Sequence, residues 1–160
     1  MIQQILIVAS NWLHALATVL LIGHYALLSL VYLPALNRQL NGAVTRTVVQ
    51  EFFVRFRLWA SVSLAVFIVT GIYLMLVSPH YLGLGKFVNP WSILMLVKHI
   101  LVLAMIGLGG SNNVIIRGWA QPSATEATHA AGLSRLQGVV NATMVSGIVI
   151  LLLTAAAQAA

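Results

Sequence analysis

The sequence predicts an all-α fold, an integral membrane bundle of four transmembrane helices, and three observations carry that prediction. Hydrophobic residues make up 61% of the 160-residue chain and charged residues only 6%, where an ordinary soluble domain carries about a quarter charged. The mean hydropathy is +1.00. The apolar residues gather in four blocks, near 4–33, 58–77, 91–111 and 136–157, each matching the roughly 20 helical residues needed to cross a bilayer. Ala, Leu, Ile and Val fill these blocks without strand alternation, which excludes the alternating segments of about ten residues that build a barrel.

The first block is expected to persist as a mature span, because Met1-Ile2-Gln3-Gln4 offers no basic lead and the apolar run is too long for a signal peptide. The second helix is predicted to start ahead of the membrane. From Thr47 to Arg57 the chain keeps helical spacing, with Phe52, Phe53 and Phe56 on one side and Glu51, Arg55 and Arg57 on the other. Pro79 and Asn89-Pro90 punctuate the next connection, with Tyr81 and Trp91 where an aromatic belt would lie. The polar stretch from Gly118 to Gly132, with Gln121-Pro122-Ser123, is expected to be a loop without structure of its own. The chain therefore reads as a single transmembrane domain over 1–160.

Eight Lys and Arg against two Asp and Glu give a formal charge of +6, but the charges lie between the apolar blocks and form no basic face with interleaved aromatics, so no nucleic acid partner is expected. Arg38, Arg46, Arg55 and Arg57 occupy the first connection, Lys86 the second, and Arg117 and Arg135 the third. The positive-inside rule then places the first and third connections in the cytoplasm and both termini on the other side, in what reads as a bacterial inner membrane. With no cysteine, disulfides, thiolate metal sites and iron–sulfur clusters are excluded. The only carboxylates, Glu51 and Glu126, lie outside the spans, and no nucleophile elbow, phosphate loop or metalloprotease helix occurs, which argues against hydrolysis and proton pumping.

Polar residues inside the blocks are few, and each requires a partner: His14 and His24 in the first helix, Lys98 and His99 in the third, with Asn11, Asn112, Asn113 and Asn141. A lysine within a span costs a few kcal/mol on insertion scales, so Lys98 marks a candidate site, against the competing reading that it snorkels to the interface. On the first helix Ser10, Asn11, His14, Thr18 and Tyr25 form the polar stripe, expected to face the bundle interior. On the third, Met95, Lys98, His99, Val102, Met105, Gly109 and Asn113 share a side, and the glycines admit a close neighbour.

Two imidazoles at one depth on facing helices suit axial ligation of haem b by His14 and His99, with Lys98 answering a propionate. Met95, one turn before His99, opens a copper site of His14, His99 and Met95 instead, since Cu(I) favours thioether and imidazole. Against both stands the reading that the histidines only hydrogen-bond other polar groups between spans. His24, turned about 80° from His14 at 100° per residue, need not share its site. His80 and His129 read as ordinary connection residues. Arg55 and Arg57 are first topology determinants, with a second role in meeting Asn112 or an anionic head group.

Arg55-Phe56-Arg57-Leu58-Trp59-Ala60 opening a span, Thr70-Gly71 late in it, Trp91 followed by Lys98-His99, and the Asn112-Asn113 pair together resemble the CopD-type membrane domain associated with copper resistance. Leu13-His14 and Tyr32-Leu33-Pro34 are similar to the HemJ group of haem-biosynthesis membrane proteins, a resemblance that implies His14 and Lys98 as the functional pair. Both resemblances imply a small bundle with a His-based haem or metal site. The functions left open are electron transfer or haem and copper handling, copper transport, a membrane oxidoreductase acting on a porphyrinogen, and a cofactor-free structural subunit. The expected partners are the lipid bilayer and either a larger membrane complex or further copies of the chain.

Overall fold

A computed structural model describes residues 1–35, 42–83, 85–119 and 126–159, with side chains described throughout except at 42–46, 113, 117–119 and 126–130. Helix α1 spans Ile2–Leu27 and runs on through a π-helical turn, Leu28–Tyr32. Helices α2 (Gly42–Leu76), α3 (Pro90–Trp119) and α4 (Glu126–Gln158) complete the chain. Each contains a segment long and apolar enough to cross a membrane: Ile2–Ala35, Thr47–Leu76, Pro90–Ile116 and Ala131–Gln158. The protein is thus an all-α integral membrane bundle.

Local chemistry accounts for the boundaries. Pro34 has no N–H and its ring crowds the preceding turn, and the helix widens just before it, with the Leu33 N–H reaching back to the Leu28 carbonyl. The start of α3 combines Pro90, whose missing N–H costs nothing at a first helical position, with Asn89 as cap. The Asn89 Oδ1 accepts the Ser92 N–H at 2.7 Å and also the Ser92 hydroxyl. The Asn89 amide donates to the His80 carbonyl at 3.2 Å, which ties down the connection. Gly83 and Gly85 turn the chain there with φ of 108° and 81°, a region closed to most side chains.

Two expectations change. Helix α2 begins at Gly42, five residues ahead of the amphipathic lead read from the sequence. The stretch expected to be a loop from Gly118 to Gly132 is helical at both ends, since α3 runs to Trp119 and α4 starts at Glu126. Glu126-Ala127-Thr128-His129-Ala130-Ala131 is rich in helix formers and free of Gly and Pro, so propensity carries α4 out of its apolar block. The Gln121-Pro122-Ser123 turn lies outside the described residues.

The helices pair as α1 with α2 and α3 with α4, and α1 packs on α4 to join the pairs, whereas α2 and α3 scarcely meet. The bundle is therefore open between α2 and α3. Two apolar clusters hold it: Leu28, Leu33, Val49, Ile116, Leu136 and Val140 at one end, and Ala17, Leu21, Phe67, Val102, Met105 and Ile150 further along. The outward faces remain apolar and exposed, as with Leu103 at 68%, a surface suited to a lipid bilayer.

Close approach comes from notches cut by glycine, each filled by an α1 side chain. A Cβ built on Gly71 of α2 would lie 3.0 Å from the His14 ring, on Gly109 of α3 2.9 Å from the Tyr25 hydroxyl, and on Gly147 of α4 3.0 Å from Ile22. The Ser29 hydroxyl also donates to the Asn141 amide oxygen at 2.6 Å across α1 and α4. Ile22 is branched at Cβ and stiff, and three of its atoms crowd the Gly147 position. Gly147→Ala is accordingly expected to destabilise the bundle by about 1–2 kcal/mol, as overpacking does, read as a lowered midpoint of thermal unfolding in detergent.

Candidate functional site

His14 sits midway along α1 with its ring laid on Phe67 of α2, centroids 4.4 Å apart and planes 22° from parallel. Gly71 makes room for it. The His14 Nδ1 lies 3.0 Å from the Thr70 hydroxyl oxygen. Thr70 has one proton, and it is committed to the Val66 carbonyl at 2.6 Å, so His14 must be the donor to Thr70. A neutral imidazole protonated at Nδ1 carries its lone pair on Nε2, the form in which histidine binds metals. The Thr70 hydroxyl, anchored by its own helix, thus orients the ring and fixes its tautomer, the role that supporting hydrogen bonds play around metal-binding histidines.

Across the opening, the inward side of α3 runs Trp91, Met95, Lys98, Val102, Met105, Gly109, Asn112 and Ile116, alternating steps of four and three residues. Such spacing keeps one side chain per turn on a single seam. Lys98 is half-buried on this seam, close enough to His14 for its charge to act on the imidazole. No carboxylate forms an ion pair with it among the described residues. The Lys98 charge thus bears on the His14 ring, with no hydrogen bond joining the two among the described residues, and Met95 lies one turn from Lys98 on the same seam.

His99 is one position past that seam and is exposed. Its Nδ1–H donates to the Met95 carbonyl at 2.6 Å, so its free lone pair is also on Nε2. No hydrogen bond or ring contact joins His99 to His14 among the described residues, and no group of three or more His, Cys, Asp or Glu forms a metal cluster there. Of the expected polar stripe on α1, His14 and Thr18 are half-buried and Tyr25 reaches Gly109, but Asn11 faces outward. Asn112 is the buried asparagine of its pair, while the Asn113 side chain lies outside the described residues.

The sequence marks His24 as a polar residue inside a span that requires a partner but gives it no site. It is 8% exposed, stacked on Phe56 with centroids 3.3 Å apart and flanked by Phe52 at 5.3 Å. It lines a cavity of about 240 Å³ between α2 and α3, backed by α1. A signal for it was present, since His24 follows Ala17 and Leu21 at seven- and three-residue steps and precedes Leu28 by four, all buried. Read for polar residues alone, that stripe is invisible.

No curated protein and no solved structure matches the chain. A family model does match, that of copper resistance protein D, over residues 50–157. The match takes in α2 through α4 from Gln50, and so includes Thr70-Gly71, Trp91, Lys98-His99 and Asn112-Asn113, on which the CopD resemblance rests. The α1 motifs that resemble the HemJ group fall outside it. More than half of the chain lies within the match, and this four-helix membrane protein belongs to the copper resistance protein D (CopD) family.

Proposed function

We propose that the protein handles copper inside the bilayer, as cargo of a small membrane bundle, with His14 as the imidazole that meets it and Met95 as a thioether donor on the facing seam. The observation that carries this reading is the Thr70 hydrogen bond, which leaves Nε2 of His14 as a lone-pair donor. Imidazole and thioether are the donors that Cu(I) accepts in a chain without cysteine. Lys98 beside His14 opposes a bound cation, and in a pathway that is useful. Passage requires binding strong enough to enter and weak enough to leave. Orientation by the positive-inside rule, with both termini non-cytoplasmic, belongs to this proposal.

One observation supports a second reading, haem b held by His14 and His99 in an electron-transfer module. Both imidazoles have Nδ1 engaged as donor, His14 to Thr70 and His99 to the Met95 carbonyl, which is the arrangement expected of axial ligands. Lys98 would then face a propionate. The exposure of His99 weighs against the pair within a single copy of the chain.

One sample distinguishes these readings. Protein purified in detergent is expected to take up Cu(I) in competition with a chromophoric chelator and to show no visible absorption of its own. A Soret band with sharpened reduced α and β bands would replace the copper reading with the haem one. Neither copper nor Soret band would leave the structural-subunit reading.

A further inference from the structure

The cavity at His24 is a second site, separate from His14. Phe53, Phe56, Ala60, Leu64, Met105 and Ile106 give it apolar walls. Its lining also carries polar groups: the His24 imidazole, the Arg57 guanidinium and the Tyr25 and Ser61 hydroxyls. His24 is over nine-tenths buried, and its ring nitrogens have no hydrogen-bond partner among the described residues. The Phe56 and Phe52 rings stack with it and hold its plane. Arg57 is exposed and forms no ion pair among the described residues. Ser61 cannot supply a donor, because its hydroxyl is given to the Arg57 carbonyl at 2.9 Å.

A buried unpartnered imidazole and an unanswered guanidinium over an apolar cleft call for a ligand with an anionic, hydrogen-bond-accepting head and an apolar tail. The opening lies between α2 and α3, where the bundle is unclosed, so a tail can pass directly from the bilayer into the cleft. We propose that this cavity binds an anionic amphiphile, its phosphate or carboxylate head on Arg57 and His24 and its tail along Leu64, Met105 and Ile106. Arginine suits either head because its fork matches both geometries.

The test is binding of phosphatidylglycerol, phosphatidylcholine and oleate to the full chain in detergent, each titrated separately, with native mass spectrometry as readout. The expected result is at least tenfold preference for phosphatidylglycerol or oleate over phosphatidylcholine; whichever binds identifies the head as lipid phosphate or free carboxylate. Arg57→Gln is expected to weaken binding about tenfold. Arg55→Gln, at the same membrane end but outside the cavity lining, should change it less than twofold. A Cβ on Gly110 meets nothing within 4 Å and Gly110 lines the cavity, so Gly110→Leu is expected to fill the cleft and abolish binding with the fold and charge kept. Equal losses for Arg55→Gln and Arg57→Gln would reduce the effect to general surface attraction, and full binding by Gly110→Leu would remove the cavity from the account. Either result overturns the proposal, and neither touches copper binding at His14.

Discussion

Replacing His14 with alanine is expected to weaken Cu(I) binding by at least tenfold, about 1.4 kcal/mol, and replacing Lys98 with leucine, which removes the charge without adding a thioether, is expected to strengthen it. The two signs follow from the same geometry. His14 supplies the lone pair, so its removal deletes a ligand. Lys98 supplies a charge that acts at the same ring; at an effective dielectric of about 20 a unit charge about 10 Å away is worth on the order of 1–2 kcal/mol, and Lys98→Leu should therefore tighten copper roughly tenfold. Thr70→Val removes the hydroxyl that orients the ring and should cost between about 10- and 100-fold, as loss of supporting hydrogen bonds does at metal sites. Competition with a Cu(I) chelator reads all three. The Lys98 variant is the decisive one, because a propionate partner predicts the opposite sign: weakened haem binding. Copper affinity falling with Lys98→Leu would mean that Lys98 helps hold the occupant, and the cargo reading would be lost.

The fold was legible because membrane burial is written in composition. Four apolar blocks without strand alternation admit few architectures, and the structure has those four helices. Depth along a helix was read from the sequence too: it set His14 level with His99, and the charge of Lys98, the residue before His99, acts on the His14 ring. Rotation was less so. A seam one residue wide separates Lys98, facing in, from His99, facing out, and a 100° step is smaller than the stripe that sequence reasoning draws. The role of Thr70 was beyond reach, since a threonine in a span reads as filler until the notch at Gly71 brings His14 against it. The site of His24 was missed for a related reason. Its neighbours on the seam are apolar, and its surroundings, Phe52 and Phe56, come from a different helix.

Asn112→Leu is expected to stabilise the protein. Asn112 is 1% exposed, and neither its amide nitrogen nor its amide oxygen has a hydrogen-bond partner among the described residues. The Tyr25 hydroxyl lies beside it and interacts with it weakly, short of full hydrogen-bond geometry. A buried polar group left unpaired costs about 1–3 kcal/mol, and replacing it with an apolar group of similar shape removes that cost. Leucine suits the site, because Asn112 shares its seam with Ile116 of the first apolar cluster. Tyr25 lines the cavity and would keep its own access there. Thermal unfolding in detergent should show a midpoint raised by roughly 2–4 °C per kcal/mol, the slope for chains of this size, with the helical circular dichroism unchanged. A lowered midpoint would show instead that Asn112 is satisfied in the membrane by water, by a lipid head or by another copy of the chain. Asn112→Ser separates those cases from simple packing: it keeps a polar group but cuts volume, so it should lose stability if packing dominates and retain it if a polar partner does.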